Sequence, residues 1–447
     1  MVKKQAVLLI HGIGDQKPLE TLRKFVTAVW TRNGRVHNEY TGSHYWSKPD
    51  DISESFELRK FTTPQNHSRV STDFFELYWA HLMEGTTYGH VVAWLKTLML
   101  RRPGTLSAQL KPVYWFLWAA TLLALTLIIY TGLNIRENDP LLPAWASTLI
   151  TLLLVPAIGF VVKNVVGDAA RYLHVAPANV QSRHAIRHAG VKVLEELHKR
   201  GYSRIIVVGH SLGSVIGYDL LKHAWPMYNA KKPSTDNPPH AELDALEAQL
   251  QPGKQPDLAA FRAAQARYLA ELQGSERENE WRVTDFVTLG SPLAHADVLL
   301  AADQDDFRQR RASYELPSCP PELETQKYPD GSTLHGFAYP LKGDIRVPNH
   351  AALFAATRWT NLYFPCKRVF AGDVVGGPVA PLFGAGVEDI EVSTTINGGY
   401  LSHTHYWSFG KEATTDGTLP SHIESLCRAI DIANDGYRDP RAAAVAP

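Results

Sequence analysis

RIIVVGHSLGSVIGYDLL, residues 204–221, decides the fold. Ile205 to Val208 form a short β-branched run of the kind that makes a strand buried on both faces of a parallel sheet. Val215, Ile216, Leu220 and Leu221 then recur at helical spacing. Between the two lies Gly209-His210-Ser211-Leu212-Gly213. A bare GxSxG pattern arises by chance on the order of 0.1 times in a chain of this length. A strand directly before it and a helix directly after it make it a sharp turn that presents Ser211 at the sheet's edge. Glycines two residues either side fit, because side chains there would strike the neighbouring strand and helix. Ser211 is the candidate nucleophile.

Working outward, further strands and helices alternate. AVLLI (residues 6–10) runs into His11-Gly12-Ile13-Gly14, and FFELYWA (74–80) is a second aromatic-rich strand. Residues 179–200 carry Ile186, Val193, Leu194 and Leu197 at helical spacing and stop before Gly201. VTDFVTLG (283–290) predicts another strand, CKRVFAG (366–372) one more, and residues 388–395 the last. Such alternation predicts the α/β class, a mostly parallel sheet flanked by helices. Residues 231–256 are rich in proline, aspartate and asparagine, and 258–278 read as a polar helix with alanine-rich faces. The span 226–280 is therefore expected to be a lid-like excursion over the sheet edge.

Two stretches break the pattern. Residues 112–135 and 140–162 contain no charged side chain. Each exceeds the roughly 20 residues a helix needs to cross a bilayer's hydrocarbon. A short polar connector joins them, and Trp115, Trp118, Tyr130 and Trp145 lie toward their ends, where amphipathic rings favour the interface. The expectation is a two-helix transmembrane hairpin inserted in the α/β domain. Lys96, Arg101, Arg102 and Lys111 before it, and Lys163, Arg171, Arg183 and Arg187 after it, place both long soluble parts on the cytoplasmic side.

Composition narrows the rest. The 447 residues carry 45 Lys plus Arg against 45 Asp plus Glu, a balance that argues against a nucleic-acid-coating protein. Three cysteines without CxxC spacing suit neither a disulfide framework nor a zinc site. No signal peptide is expected before the first strand, since residues 6–10 are too short an apolar core. HGIGD lacks both the full dinucleotide fingerprint and the Walker lysine, so no nucleotide cofactor is expected.

A serine nucleophile needs oxyanion donors, a base and an orienting acid. The amides of Ile13 and Leu212 are the expected donors, with Gly12 allowing close approach, and His11 is read as a structural histidine. In the order serine, acid, histidine, the base is His403 or His405 of LSHTHYW. Asp373 in AGDVVGG follows a predicted strand, the position where ligands collect on open α/β sheets. Asp344, Glu388 and Asp389 are its rivals.

HGIGDQ, ELYWA, GDAARYL, VVGHSLGSVIGYDLL, VTLGSPL, RWTNLYFP and HTHYW occur here in that order, and the chain resembles α/β-hydrolase-fold serine hydrolases. It looks like bacterial lipase-like members with a membrane hairpin inserted before the nucleophile strand. The resemblance implies an α/β-hydrolase fold, a base at His403, three residues ahead of the tyrosine of the Tyr-Trp pair, and an acid at Asp373. The acid of that family usually follows soon after the Trp-Asn-Leu-Tyr segment, whereas PCKRVFAG intervenes here. Residues 1–110 would form the N-terminal part of the hydrolase domain with the oxyanion loop, 111–163 the hairpin, 164–438 the remainder, and 439–447 a disordered tail. The implied activity is hydrolysis of carboxylic esters of lipids or other acyl compounds through an acyl-enzyme on Ser211, with no metal or organic cofactor. The implied setting is the bacterial inner membrane. The same triad would serve a thioesterase, an amidase or an acyltransferase, and a silent membrane scaffold would keep the fold alone.

Overall fold

The computed structural model describes residues 3–12, 17–38, 40, 42–53, 56–83, 100–105, 110–134, 143, 145–146, 148–153, 172, 177–229, 241–250, 253–274, 281–327, 333–342, 345–366, 371–399, 402–410 and 418–436. At its centre is an eight-stranded sheet. In chain order the strands are β1 (Lys3–Ile10), β2 (Trp46–Pro49), β3 (Arg59–Thr62), β4 (Val70–Leu77), β5 (Arg204–His210) and β6 (Val283–Leu289). Two small antiparallel hairpins follow, β7 (Glu324–Lys327) with β8 (Thr333–Gly336) and β9 (Ala338–Lys342) with β10 (Ile345–Pro348). β11 (Arg358–Tyr363) and β12 (Glu388–Glu391) complete the sheet. Its spatial order is β12-β11-β6-β5-β1-β4-β3-β2. Every pairing from β12 to β4 is parallel, and the β4–β3 and β3–β2 pairings are antiparallel. The chain is thus of the α/β class with a mixed, mostly parallel sheet.

Period-two alternation divides the core between the two faces. On β1, Ala6, Leu8 and Ile10 face one cluster while Val7 and Leu9 face the other, and β5 sends Ile205 and Val207 to the first and Ile206 and Val208 to the second. All nine are fully buried, at roughly 1.5–3 kcal/mol for each of the larger side chains. One face is covered by α3 (Pro177–Lys199) and α4 (Leu212–Asn229), and the other by α1 (Glu20–Val26) and α7 (Ser421–Ile430). Arg204 braces the edge opposite the nucleophile turn. Its guanidinium donates to Asp285 Oδ2 at 2.7 Å and to the carbonyls of Asp431 (2.7 Å) and Ile430 (2.8 Å), joining β5, β6 and the end of α7.

β11 is not among the strands that the apolar runs predict, and Trp359 and Leu362 are buried in it. Of the strand expected at 366–372, residues 367–370 lie outside the described residues. Polar Thr360 and Asn361 mask β11 in the sequence, yet partners satisfy them inside the sheet, where Asn361 Nδ2 donates to Asp389 Oδ1 at 2.7 Å. The lid-like excursion contains two docked helices, α5 (Ala241–Ala248) and α6 (Leu258–Gly274), with Leu243, Leu246, Phe261 and Tyr268 buried. Gln265 Nε2 fastens α6 by donating to the carbonyls of Phe354 (2.7 Å) and Thr357 (3.0 Å).

The expected transmembrane hairpin is not shown among the described residues. The first apolar stretch forms the helix α2 (Leu110–Asn134), on which Leu122, Leu125, Ile129 and Leu133 are exposed. The connector 135–140 and most of the second arm lie outside the described residues; Trp145, Leu149, Ile150, Leu152 and Leu153 of that arm are exposed. Among the described residues, no helix is long and apolar enough to cross a membrane. At its base α2 is tied to the main domain: Arg101 Nη2 donates to the carbonyls of Val298 (2.8 Å) and Ala301 (2.9 Å), and Tyr114 packs on Val298.

Candidate active site

β5 ends at His210 and α4 begins at Leu212, leaving Ser211 alone in the turn with φ of 53°. That left-handed conformation is costly for a residue with a Cβ and is held by its surroundings. The Ser211 N–H donates to Leu289 O (2.9 Å), and its carbonyl accepts from Ser214 N (2.9 Å). The flanking glycines are needed sterically. A Cβ on Gly209 would lie 2.5 Å from Ser214 Cα, and one on Gly213 2.1 Å from Ile10 O.

Three side chains from distant parts of the chain meet at this turn. His403 Nε2 stands 2.8 Å from Ser211 Oγ, and His403 Nδ1 stands 2.9 Å from both carboxylate oxygens of Asp373. A carboxylate only accepts, so Nδ1 carries the proton and Nε2 is left free to accept from the serine hydroxyl. Asp373 has no exposed surface. Its Oδ1 accepts from Val375 N (2.8 Å) and Gly376 N (2.9 Å), and its Oδ2 accepts from the Tyr406 hydroxyl (2.8 Å). Burial pushes this carboxyl up, but His403, the Gly376 amide and the Tyr406 hydroxyl outweigh it and hold the group at about 2. Ser211 is 3% exposed, whereas the His403 side chain is 23% exposed, so the base is the member of the relay that faces outward.

The rivals are engaged elsewhere. Asp389 accepts from Val379 N and Ala380 N, and Glu388 pairs with Arg262. Asp344 lies outside the described residues. His405 makes no hydrogen bond to Ser211 or Asp373 among the described residues, and its Nδ1 has no partner. Of the expected oxyanion donors, Leu212 is the first residue of α4, whose N–H has no acceptor four residues back inside the helix. Ile13 lies outside the described residues. Its neighbour Gly12 reaches the site: a Cβ there would lie 2.8 Å from that of Ser211. His11 fixes this loop. Its Nε2 accepts from Trp79 N (3.4 Å), so Nδ1 is the protonated nitrogen and donates to Gly12 O (2.8 Å). Burial holds the ring at about 4, hence neutral.

Three further residues shape the site. His210 Nε2 donates to the carbonyl of His403 at 2.8 Å, anchoring the loop that carries the base, and burial holds this ring at about 3. Tyr406 bonds Asp373. Gly290, in the left-handed region with φ of +56°, sits where Asp373, His403 and Tyr406 converge. Their signal in the sequence is their place inside GHSLG, HTHYW and VTLGSPL. Among the described residues no group of His, Cys, Asp and Glu could hold a metal ion.

An acceptor nitrogen in contact with a serine hydroxyl, backed by a buried carboxylate, can draw off the hydroxyl proton as oxygen bonds to an electrophile. In comparisons with protein-family models, curated proteins and solved structures, nothing matches this chain.

Proposed function

We propose that this chain is a membrane-attached serine hydrolase of the α/β-hydrolase kind that cleaves carboxylic esters through an acyl-enzyme on Ser211. The observation that carries the proposal is the unbroken relay from Ser211 Oγ through His403 to Asp373, with contacts of 2.8 and 2.9 Å. Ser211 Oγ attacks the ester carbonyl carbon while His403 Nε2 takes its proton. Asp373 holds the tautomer and stabilises the imidazolium that forms. The oxyanion is received by the N–H groups of Leu212 and Ile13. Collapse expels the alcohol, which takes the proton from His403, and water then repeats the cycle on the acyl-enzyme.

Attachment to a bilayer is supported by the uncharged stretches 112–135 and 140–162 and by the exposed leucines and isoleucines of α2. The cations flanking them favour a cytoplasmic placement of the catalytic domain. The segment that leaves β6 starts beside the nucleophile, where Ser291 Oγ accepts from Ser214 Oγ at 2.7 Å. It ends at Val298 and Ala301, held by Arg101 at the foot of α2. The catalytic serine and the apolar arm are therefore joined by one short segment, which favours an amphiphilic ester drawn from the lipid surface.

Hydrolysis of phospholipid and glycerolipid esters in detergent or vesicles, compared with short soluble esters, tests the substrate class. Preferential release of fatty acid from the amphiphiles is expected. Activity confined to short esters removes the lipid part of the proposal, and transfer of acyl groups to an added alcohol or amine without net hydrolysis moves the chain to the acyltransferases. Vesicle flotation of the full chain tests attachment, with co-flotation expected and recovery in the aqueous fraction contradicting it.

A further inference from the structure

We propose that Tyr406 is a positioning residue of the relay, which aims and tunes Asp373 through a hydroxyl proton that has only one place to go. The inference rests on the hydrolase reading and adds a fourth member to the relay. The Tyr406 oxygen accepts the N–H of Phe364 at 3.2 Å and stands 2.8 Å from Asp373 Oδ2. With the backbone donor engaged on one side, the phenolic proton points at the carboxylate on the other. The ring is locked as well. It is 1% exposed, packs on Phe364 with ring centres 4.6 Å apart, and lies edge-on to His210 at 5.8 Å. A Cβ on Gly290 would come within 2.7 Å of Tyr406 Cε2, so the main chain of the segment after β6 seats the ring.

Charge-assisted hydrogen bonds are the stronger ones, and this one acts where the charge needed for catalysis resides. The two oxygens of Asp373 are held differently. Oδ1 has two backbone donors from its own loop, whereas Oδ2 has the Tyr406 hydroxyl, three residues beyond His403. One short stretch of chain thus supplies both the base and a donor that fixes the acid to which the base bonds. Without that donor the carboxylate is more basic and grips the imidazolium harder, so the serine is deprotonated less readily at low pH. Other titratable groups face this cluster. His210 and His295 are held at about 3 and about 4 by burial, and burial pushes the Cys366 thiol up. His405 and His422, further along the same face, are also shifted down by burial. Burial and Asp373 push the Tyr406 phenol well above its ordinary range, so it remains a donor throughout.

The test is the pH dependence of fluorophosphonate labelling of Ser211 in the full, detergent-solubilised chain. Tyr406→Phe removes the donor, and difluorotyrosine incorporated at the same position makes it a stronger one. Labelling of Tyr406→Phe should slow by about 10-fold, the ratio typical of a hydrogen bond to a charged group. Its acid limb should move up by about half a pH unit to one unit. The acid limb of the difluorotyrosine protein should move down. A merely structural ring would lower melting temperature in Tyr406→Phe and leave both limbs in place. If Tyr406→Phe fails to fold, the difluorotyrosine protein decides alone. Wild-type labelling with no opposite movement of the limbs overturns the role of Tyr406 and leaves the hydrolase reading standing; wild-type labelling that survives Ser211→Ala overturns the hydrolase reading instead.

Discussion

Gly290→Ala should disable the site without touching any of its reacting groups. Gly290 follows β6, and its N–H donates to Leu362 O at 3.0 Å, so the residue cannot move away without breaking the register between β6 and β11. A Cβ built there lies 2.6 Å from Asp373 Oδ2, 2.7 Å from Tyr406 Cε2 and 3.1 Å from His403 Nδ1. Gly376 closes the opposite side, since a Cβ on it would lie 2.5 Å from Gly290 Cα. The methyl group must therefore push Asp373 or His403 by roughly 0.5–1 Å, a displacement that costs on the order of 100-fold in rate when it separates catalytic groups. Alanine at a φ of +56° adds strain of about 1–2 kcal/mol, and overpacking about 1–3 kcal/mol more. Denaturant unfolding and the rate constant of fluorophosphonate labelling, measured side by side, separate the two effects. The expected result is a folded protein, less stable by about 2–5 kcal/mol, with labelling slowed by about 100-fold. A folded variant labelled at the wild-type rate would refute the convergence of Asp373, His403 and Tyr406 on this glycine.

Glu76 on β4 is 3% exposed, with Oε2 accepting from Leu19 N at 2.8 Å and Oε1 without a partner. Burial raises its carboxyl to about 7 against an ordinary value of 4.5. The folded state therefore favours the protonated form: the penalty is fully present above pH 7 and gone below 4.5. Glu76→Gln should raise the melting temperature at pH 8, by an equivalent of up to about 3 kcal/mol, and the gain should vanish near pH 4.5. Arg204→Met leaves Asp285 charged and buried, with side-chain exposures of the pair only 5% and 2%. It should cost about 3–5 kcal/mol in denaturant unfolding, with Ser211 still labelled in the folded fraction, because the pair braces the far ends of β5 and β6.

Elements whose signal is contiguous in the sequence are legible there, and those whose signal depends on distant partners are not. The nucleophile turn is legible because strand, glycines and helix are contiguous within residues 204–221. β1, β4, β5 and β6 are legible for the same reason, as dense apolar runs. β11 is not legible because Thr360 and Asn361 look like loop residues until Arg262 is beside the first and Asp389 and Thr288 beside the second. The antiparallel strands β2 and β3 at the end of the sheet are not legible, since the four residues of the edge strand β2 are exposed and carry no alternation. Among the carboxylates, Asp373, Glu388 and Asp389 differ in partners brought by folding: two local amides and Tyr406 for the first, Arg262 for the second, the amides of Val379 and Ala380 for the third. His403 and His405 are two residues apart, and the tether from His210 to the His403 carbonyl turns the first toward Ser211. The excursion over 226–280 is polar in sequence, yet Leu243, Leu246 and Phe261 are buried where its helices dock.

The central claim is that Ser211 is an activated nucleophile with His403 as its base. Fluorophosphonate labelling of the full chain in detergent, beside Ser211→Ala and His403→Ala, tests it directly. The account predicts rapid labelling of the wild type, none in Ser211→Ala, and labelling slowed by at least about 1,000-fold in His403→Ala. Labelling of His403→Ala at the wild-type rate, or a folded wild type that is never labelled, would contradict it.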